Sequence, residues 1–364
     1  MRFFFLFVSL LCCTSCSGDR AVLSANFLFF IPFGDARGEA GTPAIANDRA
    51  PLAEGFTASD NYLVLLEPDN PHLLIYTTEG KLVFDRKFAS IAPKGNEQSH
   101  YLAAVSPSGS AWLAAFESVK DARGYRLYQV HDDESELASA AFLRAVVYEQ
   151  RFANRRESYT PLLQSMRLID NQTILFVWHA LAHRAYTSGR SEESATVTAV
   201  SIYNINEKTH TMHRLDLERF RQTESGDLRF DTILSVHPLY DHSKFLIEVQ
   251  YRKADIRNPY EKALFVLDMD SDSLEPVSLS RPTWNSLLGV SRDGTLYFID
   301  DVEIFRDSTR AIIGLYNMET FKDMRYAIEA DPTRPTMSNF VFSSRGTFYS
   351  LEVFERGINF YSWK

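Results

Sequence analysis

One phrase recurs in this chain, and it limits what the chain can fold into. Val290-Ser-Arg-Asp-Gly-Thr-Leu-Tyr-Phe-Ile299 carries a hydrophobic residue and a serine into a tight turn, makes the turn at Gly294 and leaves it as an apolar strand. The same order of hydrophobic residue, Ser, two variable residues and Gly stands at Ser106/Gly109 and Ser343/Gly346. Glycine supplies the φ > 0 that such turns need. Ser291 and Ser343 are 52 residues apart, close to the ~50-residue period of the larger propeller blades.

Between these phrases the chain reads as short strands and turns. Tyr62–Leu66, Leu73–Tyr76 and Leu82–Phe84 are three apolar runs separated by Glu67-Pro-Asp-Asn-Pro71 and Thr78-Glu-Gly80, a meander. Comparable runs follow at Ala111–Phe116, Tyr125–Val130, Ile174–Val177, Val197–Ile205, Phe245–Val249, Ala263–Asp268, Ala311–Tyr316, Thr347–Leu351 and Ile358–Trp363. About six units of roughly 50 residues fit after Phe56. One such unit has too little core alone, and radial stacking lets neighbours bury each other's faces. The expected fold is therefore all-β, a β-propeller of six blades, with seven as the alternative count. A β-sandwich would not require a turn phrase at this period. The last unit offers only about three strands. Asn26–Phe33, an isolated aromatic strand, is expected to supply the fourth and close the ring.

Composition supports a packed body: of 364 residues, 45% are hydrophobic and 13% aromatic. The net charge of −9 argues against a nucleic-acid partner, which favours a basic face. The three cysteines, Cys12, Cys13 and Cys16, all lie at the N-terminus, which excludes a disulfide framework, a thiolate metal site and a catalytic cysteine from the rest.

Met1-Arg2 and the apolar run Phe3–Leu11 are too short to span a bilayer, which takes about 20 residues, and fit a secretory signal. Thr14 and Ser15 are small residues directly before Cys16, as in a bacterial lipoprotein signal whose cysteine sulfur takes a diacylglyceryl group. The position three before it holds Cys13 rather than the usual aliphatic residue. The expected organisation is a signal peptide over 1–15, a lipidated Cys16 and tether over 16–25, and the propeller over 26–364, lipid-anchored in a bacterial envelope. This relaxed lipobox, the strand Phe27–Gly34, the repeated turns and the ending Phe360-Tyr-Ser-Trp-Lys364 together resemble lipidated β-propeller proteins of spirochaetes. The resemblance implies location and fold, not chemistry.

Side-chain constellations are weak. Asp268-Met-Asp-Ser-Asp opens like a calcium loop, but an EF-hand needs Gly sixth and Glu twelfth, where Ser273 and Leu279 stand; it reads as an acidic hairpin turn. His179 and His183 are spaced i, i+4, yet Ala180 replaces the Glu of a zincin helix, and the segment follows a strand. His210 and His213 fall in a polar turn. Ser291-Arg-Asp-Gly resembles the turn called an Asp-box, one residue short. Arg151, Arg155 and Arg156 with Glu149 and Glu157 read as a solvated loop. The adjacent pairs Asp132-Asp133 and Asp300-Asp301 would point to opposite faces of a strand. No P-loop, dinucleotide fingerprint or Gly-x-Ser-x-Gly elbow is present.

No catalytic residue, metal ligand or cofactor is therefore assigned; Cys16 is the one site residue. The three insertions 180–196, 218–227 and 252–261 carry Tyr and Arg, and loops on a rigid scaffold are where binding sits. The expected function is that of a non-enzymatic, monomeric interaction or scaffold protein, presenting these loops to an envelope protein or polysaccharide. The alternative is a glycan-binding or glycan-cleaving propeller enzyme. An enzyme should converge titratable groups in a concave pocket; an interaction protein should expose a broad face of aromatic and Arg anchors.

Overall fold

The computed structural model describes residues 21–23, 25–34, 36–40, 55–67, 72–88, 100–119, 122–130, 138–152, 155–185, 191–222, 228–239, 243–253, 260–279, 284–304, 309–330, 340–354 and 356–363. These form a six-bladed β-propeller of antiparallel, mostly four-stranded sheets. Blade 1 comprises β3 (Phe56–Ala58), β4 (Tyr62–Glu67), β5 (His72–Thr77) and β6 (Leu82–Lys87). Blade 2 has β7 (Tyr101–Val105), β8 (Ala111–Val119), β9 (Ala122–Val130) and β10 (Ala138–Arg144). A hairpin of β11 (Tyr148–Phe152) and β12 (Arg155–Tyr159) precedes blade 3, which is β13 (Leu162–Leu168), β14 (Thr173–Ala185), β15 (Ser191–Asn204) and β16 (Thr209–Arg214). A one-turn helix α1 (Leu217–Arg221) leads to blade 4: β17 (Arg229–Pro238), β18 (Lys244–Arg252), β19 (Tyr260–Asp268) and β20 (Ser273–Val277). Blade 5 is β21 (Ser286–Val290), β22 (Thr295–Ile304), β23 (Thr309–Asn317) and β24 (Asp323–Ala330). Blade 6 is β25 (Phe340–Phe342), β26 (Phe348–Phe354), β27 (Gly357–Trp363) and, from the other end of the chain, β2 (Ala25–Pro32).

The ring thus closes as expected, with β2 antiparallel to β27 from Ala25↔Trp363 to Pro32↔Gly357. The tether is shorter than expected. A further strand, β1 (Ala21–Leu23), pairs in parallel with β24 as a fifth strand of blade 5, so chain assigned to a linker is used for edge pairing. Three apolar residues are too short a run to announce a strand. Cys16 and the signal-like residues 1–15 lie outside the described residues.

Each blade-to-blade junction has its own apolar cluster. Strand β5 shows how the sequence builds two at once: Leu73 and Ile75 pack with Leu113 and Tyr128 of blade 2, while Leu74 and Tyr76 pack with Leu351 and Phe360 of blade 6. Middle strands buried on both faces lose the polar half of their alternation. That is why they read as unbroken apolar runs.

The three turn phrases are equivalent connections, each joining the first and second strands of a blade. The Ser N–H donates to the carbonyl four residues on, and the Gly N–H returns to the Ser carbonyl, at Ser106/Gly109, Ser291/Gly294 and Ser343/Gly346. The three glycines have φ of 94°, 74° and 85°. Gly346 also abuts blade 5: a Cβ there would stand 2.3 Å from Tyr297 Oη.

These connections, with the third-to-fourth-strand turns, make one face of the disc. They also bind blades together. Asn61 Nδ2 donates to the Pro107 carbonyl and Ser108 N–H to Asn171 Oδ1. Arg292 N–H donates to the Ser344 carbonyl. Asp60 of blade 1 accepts from Ser344 Oγ (2.7 Å) and Arg345 N–H (3.1 Å) of blade 6, and lies 3.6 Å from the Arg292 and Arg345 guanidinium groups. The opposite face carries the remaining connections, among them the β11–β12 hairpin, α1, and the continuation of β14 and β15 into a paired ribbon from Ala180↔Thr196 to Ala185↔Ser191.

Candidate functional site

The first strands β3, β7, β13, β21 and β25 neighbour one another around the centre. They enclose a cavity of about 280 Å³ whose lining includes Asp60, Tyr101, Gln164, Arg167, Arg292 and Phe342. Gln164 marks the long-loop end, where β13 begins; Asp60 and Arg292 mark the tight-turn end.

At the long-loop mouth, between blades 2 and 3, three polar side chains meet. His100 immediately precedes β7, Tyr125 is on β9 and His179 is on β14 opposite Leu162. The buried Tyr125 hydroxyl accepts the Leu163 N–H at 3.1 Å and reaches His100 Nδ1 at 2.7 Å. The hydroxyl is buried and has no acceptor other than His100 Nδ1 among the described residues, so its proton goes there. That fixes the imidazole with its hydrogen on Nε2. Edge contacts to Phe116 and Trp178 hold the Tyr125 ring, at centroid distances of 5.3 and 5.8 Å. His179 Nδ1 is buried and makes no hydrogen bond among the described residues. Burial, and secondarily the nearby His179, lowers the His100 pKa; burial lowers that of His179. Both imidazoles are thus neutral at physiological pH, the state that accepts protons. Burial raises the Tyr125 pKa, keeping the phenol protonated as the lock requires.

The same face of blade 4 carries a polar group and a platform. Asp231 accepts from Gln250 Nε2 at 2.7 Å and lies 3.9 Å from Arg252 Nη2. Arg252 stacks over Tyr260, 5.7 Å from the ring centroid, and Tyr260 remains 41% exposed.

Deeper in the wall, a hydrogen-bonded chain joins three blades. Arg167 Nη1–H points to His237 Nδ1 at 3.4 Å, and His237 Nε2 meets Ser235 Oγ at 3.1 Å. Ser235 Oγ donates to Glu248 Oε2 at 3.0 Å, whose other oxygen accepts from Trp284 Nε1 at 2.7 Å. Arg cannot accept, so the His237 proton sits on Nε2, and the donors on both sides converge on Glu248 as the common acceptor. Burial, then the Arg167 charge, holds the His237 pKa well below 6.5. Glu248 stands on β18 between residues that pack apolar clusters. The sequence gives it no distinguishing neighbour, so this chain escaped sequence reading.

Other expected candidates fall apart in space. His179 and His183 lie on one strand, so their Cα atoms are about 13 Å apart, too far for one zinc ion. His210 and His213 are an odd number apart on β16, and His210 packs edge-on against Phe176. Asp268 closes its own turn, accepting from Asp270 N–H (2.9 Å) and Ser271 N–H (3.3 Å), while Asp272 pairs with Arg219 (2.7 Å). Asp300 is 3.2 Å from Arg325; Asp132 and Asp133 lie outside the described residues. Arg151 pairs across the β11–β12 hairpin with Arg156, and Phe152 with Arg155, so the expected loop is a ribbon. No group of three His, Cys, Asp or Glu among the described residues could hold a metal ion.

The expected non-enzymatic scaffold is corrected. In place of a broad anchor-bearing face, the exposed large apolar side chains among the described residues are few: Phe27 and Phe30 side by side on β2, and Val147, Tyr260 and Phe321 singly on other blades and connections. Titratable groups instead gather on the long-loop face, where His100, Tyr125 and His179 come together. No protein-family model and no curated protein matches the chain. Similar solved structures include an ulvan lyase of a polysaccharide lyase family (TM-score 0.44, 9% identity, covering 92% of this chain and 94% of that one). Others are the α-L-arabinanase of Penicillium chrysogenum (0.42, 10%, 94% and 98%) and an α-L-arabinofuranosidase of Fusarium graminearum (0.46, 9%, 93% and 97%). What these similar structures have in common with the chain is the propeller; by name they are glycan-cleaving enzymes.

Proposed function

We propose that this propeller binds an acidic glycan across its long-loop face and cleaves it at the mouth between blades 2 and 3. The observation that carries the reading is the pair of neutral histidines there, one held in a single tautomer by Tyr125. Glycoside hydrolysis ordinarily needs two carboxyl groups flanking the bond, and no such pair stands at this mouth among the described residues. Elimination needs less. A neutral imidazole takes the proton from the carbon next to a uronate carboxylate, the electron pair forms a C=C bond, and the glycosidic C–O bond β to that carboxylate breaks. The departing oxygen takes a proton from solvent, and His100 Nε2–H donates a hydrogen bond to it. His179 is the base. Tyr260, with Arg252 beneath it, offers an amphipathic platform for a neighbouring sugar.

The test is incubation of the protein with uronate-containing and neutral polysaccharides. Ultraviolet absorbance from the conjugated product, lost in His179→Ala, is the expected result. New reducing ends without that absorbance would replace elimination by hydrolysis, and neither binding nor cleavage of any acidic glycan would sink the reading.

The anchor belongs to the same proposal. Cys16, behind Thr14 and Ser15 and an apolar run, suits lipidation, which supports an anchor at a bacterial envelope membrane, where polysaccharide is at hand. Mass spectrometry of the membrane-extracted protein, showing an acylated N-terminal Cys16, is the check.

A further inference from the structure

The outermost strand of blade 6 carries two large exposed aromatics, Phe27 and Phe30, at 57% and 45% exposure. A plain strand would put residues three apart on opposite faces. Here a bulge at Leu28 shifts the register, so that Phe27 pairs with Tyr361 and Phe30 with Asn359. Tyr361 and Asn359 are two apart, which brings both phenylalanines to one side of the sheet. Phe29 and Ile31 turn the other way, into the cluster shared with blade 1. The patch therefore lies on the side of blade 6 that faces blade 5. Blade 5 bears β1 on its outer edge, so this is also the rim where the N-terminal chain arrives.

Only residues 17–20 separate Cys16 from Ala21. Five residue steps span at most about 18 Å. A lipid on Cys16 would hold this rim within that distance of the bilayer. Acyl chains fix distance but leave the body free to turn; a second apolar contact fixes orientation. The net charge of −9 gives no electrostatic pull towards an anionic surface, so an apolar contact suits this protein better than a basic one.

We propose that Phe27 and Phe30 insert into the lipid interface, seating the propeller on its blade 5–blade 6 rim with the disc edge-on to the membrane. Both mouths of the channel then face along the membrane surface, open to a polymer lying on it. The lipid contact rests on anchoring at Cys16 and not on the proposed cleavage.

The experiment uses the full chain, matured in cells and reconstituted in phosphatidylcholine vesicles whose acyl chains carry bromine. The four native tryptophans, Trp112, Trp178, Trp284 and Trp363, are all buried, so an added one reports on the surface. Phe27→Trp should be quenched and blue-shifted on vesicles, and Val147→Trp, across the ring between blades 2 and 3, should not. Phe30→Trp repeats the measurement should Phe27→Trp fail to fold. Equal emission from both positions overturns the proposal, as does protein that stays in solution. Blue emission from Phe27→Trp before any vesicle is added also overturns it, since another segment or a second copy would then already cover the patch.

Discussion

The two faces of this disc are built from the same strands and do opposite work. On the tight-turn face, repetition is the rule: three Ser–Gly turns with positive φ at the glycine, and side chains that spend their hydrogen bonds on the next blade. Asp60 is typical, a carboxylate tied to Ser344, Arg345 and Arg292. On the long-loop face nothing repeats, and His179 keeps a buried nitrogen without a partner among the described residues. The tight-turn face also leaves Ser59 Oγ and His210 Nε2 buried without a partner among the described residues. What sets the long-loop face apart is that His179 stands beside a second neutral imidazole, His100.

That contrast can be broken by substitution. The largest effect is expected on activity from the long-loop face: His179→Ala should lower the cleavage rate by about 10²–10⁴-fold with an unchanged melting temperature. A matching loss of stability would mean that His179 is a structural residue. Next comes the tight-turn face, where Gly346→Val combines φ of 85° with a Cβ 2.3 Å from Tyr297 Oη and should cost about 2–4 kcal/mol. Denaturant unfolding measures it, and the binding of glycan by the remaining folded protein should be intact. Tyr125→Phe lies between the two regimes. It strands the buried Leu163 N–H, a loss of about 1–3 kcal/mol, and frees His100 to change tautomer, so the pH–rate profile should alter as well as the melting point.

The smallest effect sharpens the comparison through pH. The His237 pKa is held below 6.5 in the folded protein, so the unfolded chain binds that proton first. Stability is full above pH 6.5 and falls as the pH drops below it. His72, between Glu67 and Asp85, runs the other way. Burial lowers its pKa, but the two acids outweigh that and the net shift is upward; its contribution is full at low pH and fades as the pH rises through the folded value. Unfolding of His237→Gln across pH 4–8 should show a flatter acid limb than the parent. At pH 7 the change should stay within about 1.5 kcal/mol.

These faces differ in how far they can be read from sequence. The turn glycines were legible because a residue forced to φ > 0 by geometry recurs wherever the geometry recurs. The closing role of β2 was legible because an aromatic strand standing alone must pair with something. The long-loop mouth was not. His100, Tyr125 and His179 come from two blades and acquire meaning only when the blades stack. His179 did draw notice, but for its spacing from His183, and on an extended strand that spacing joins nothing. The Glu248 chain was hidden for the same reason: its partners Ser235 and Trp284 lie on other strands and connections.

The pairing of β2 with β27 has a consequence for how the protein is made. Synthesis delivers β2 before every blade and β27 after them, so β2 must wait through the production of the other blades before it finds its mate. Until then blade 6 is incomplete, the aromatic strand Ala25–Pro32 is unprotected, and the contact to be formed is among the most distant in sequence that the chain contains, the kind that forms slowly. This architecture postpones the closing of the ring until β27 has been made.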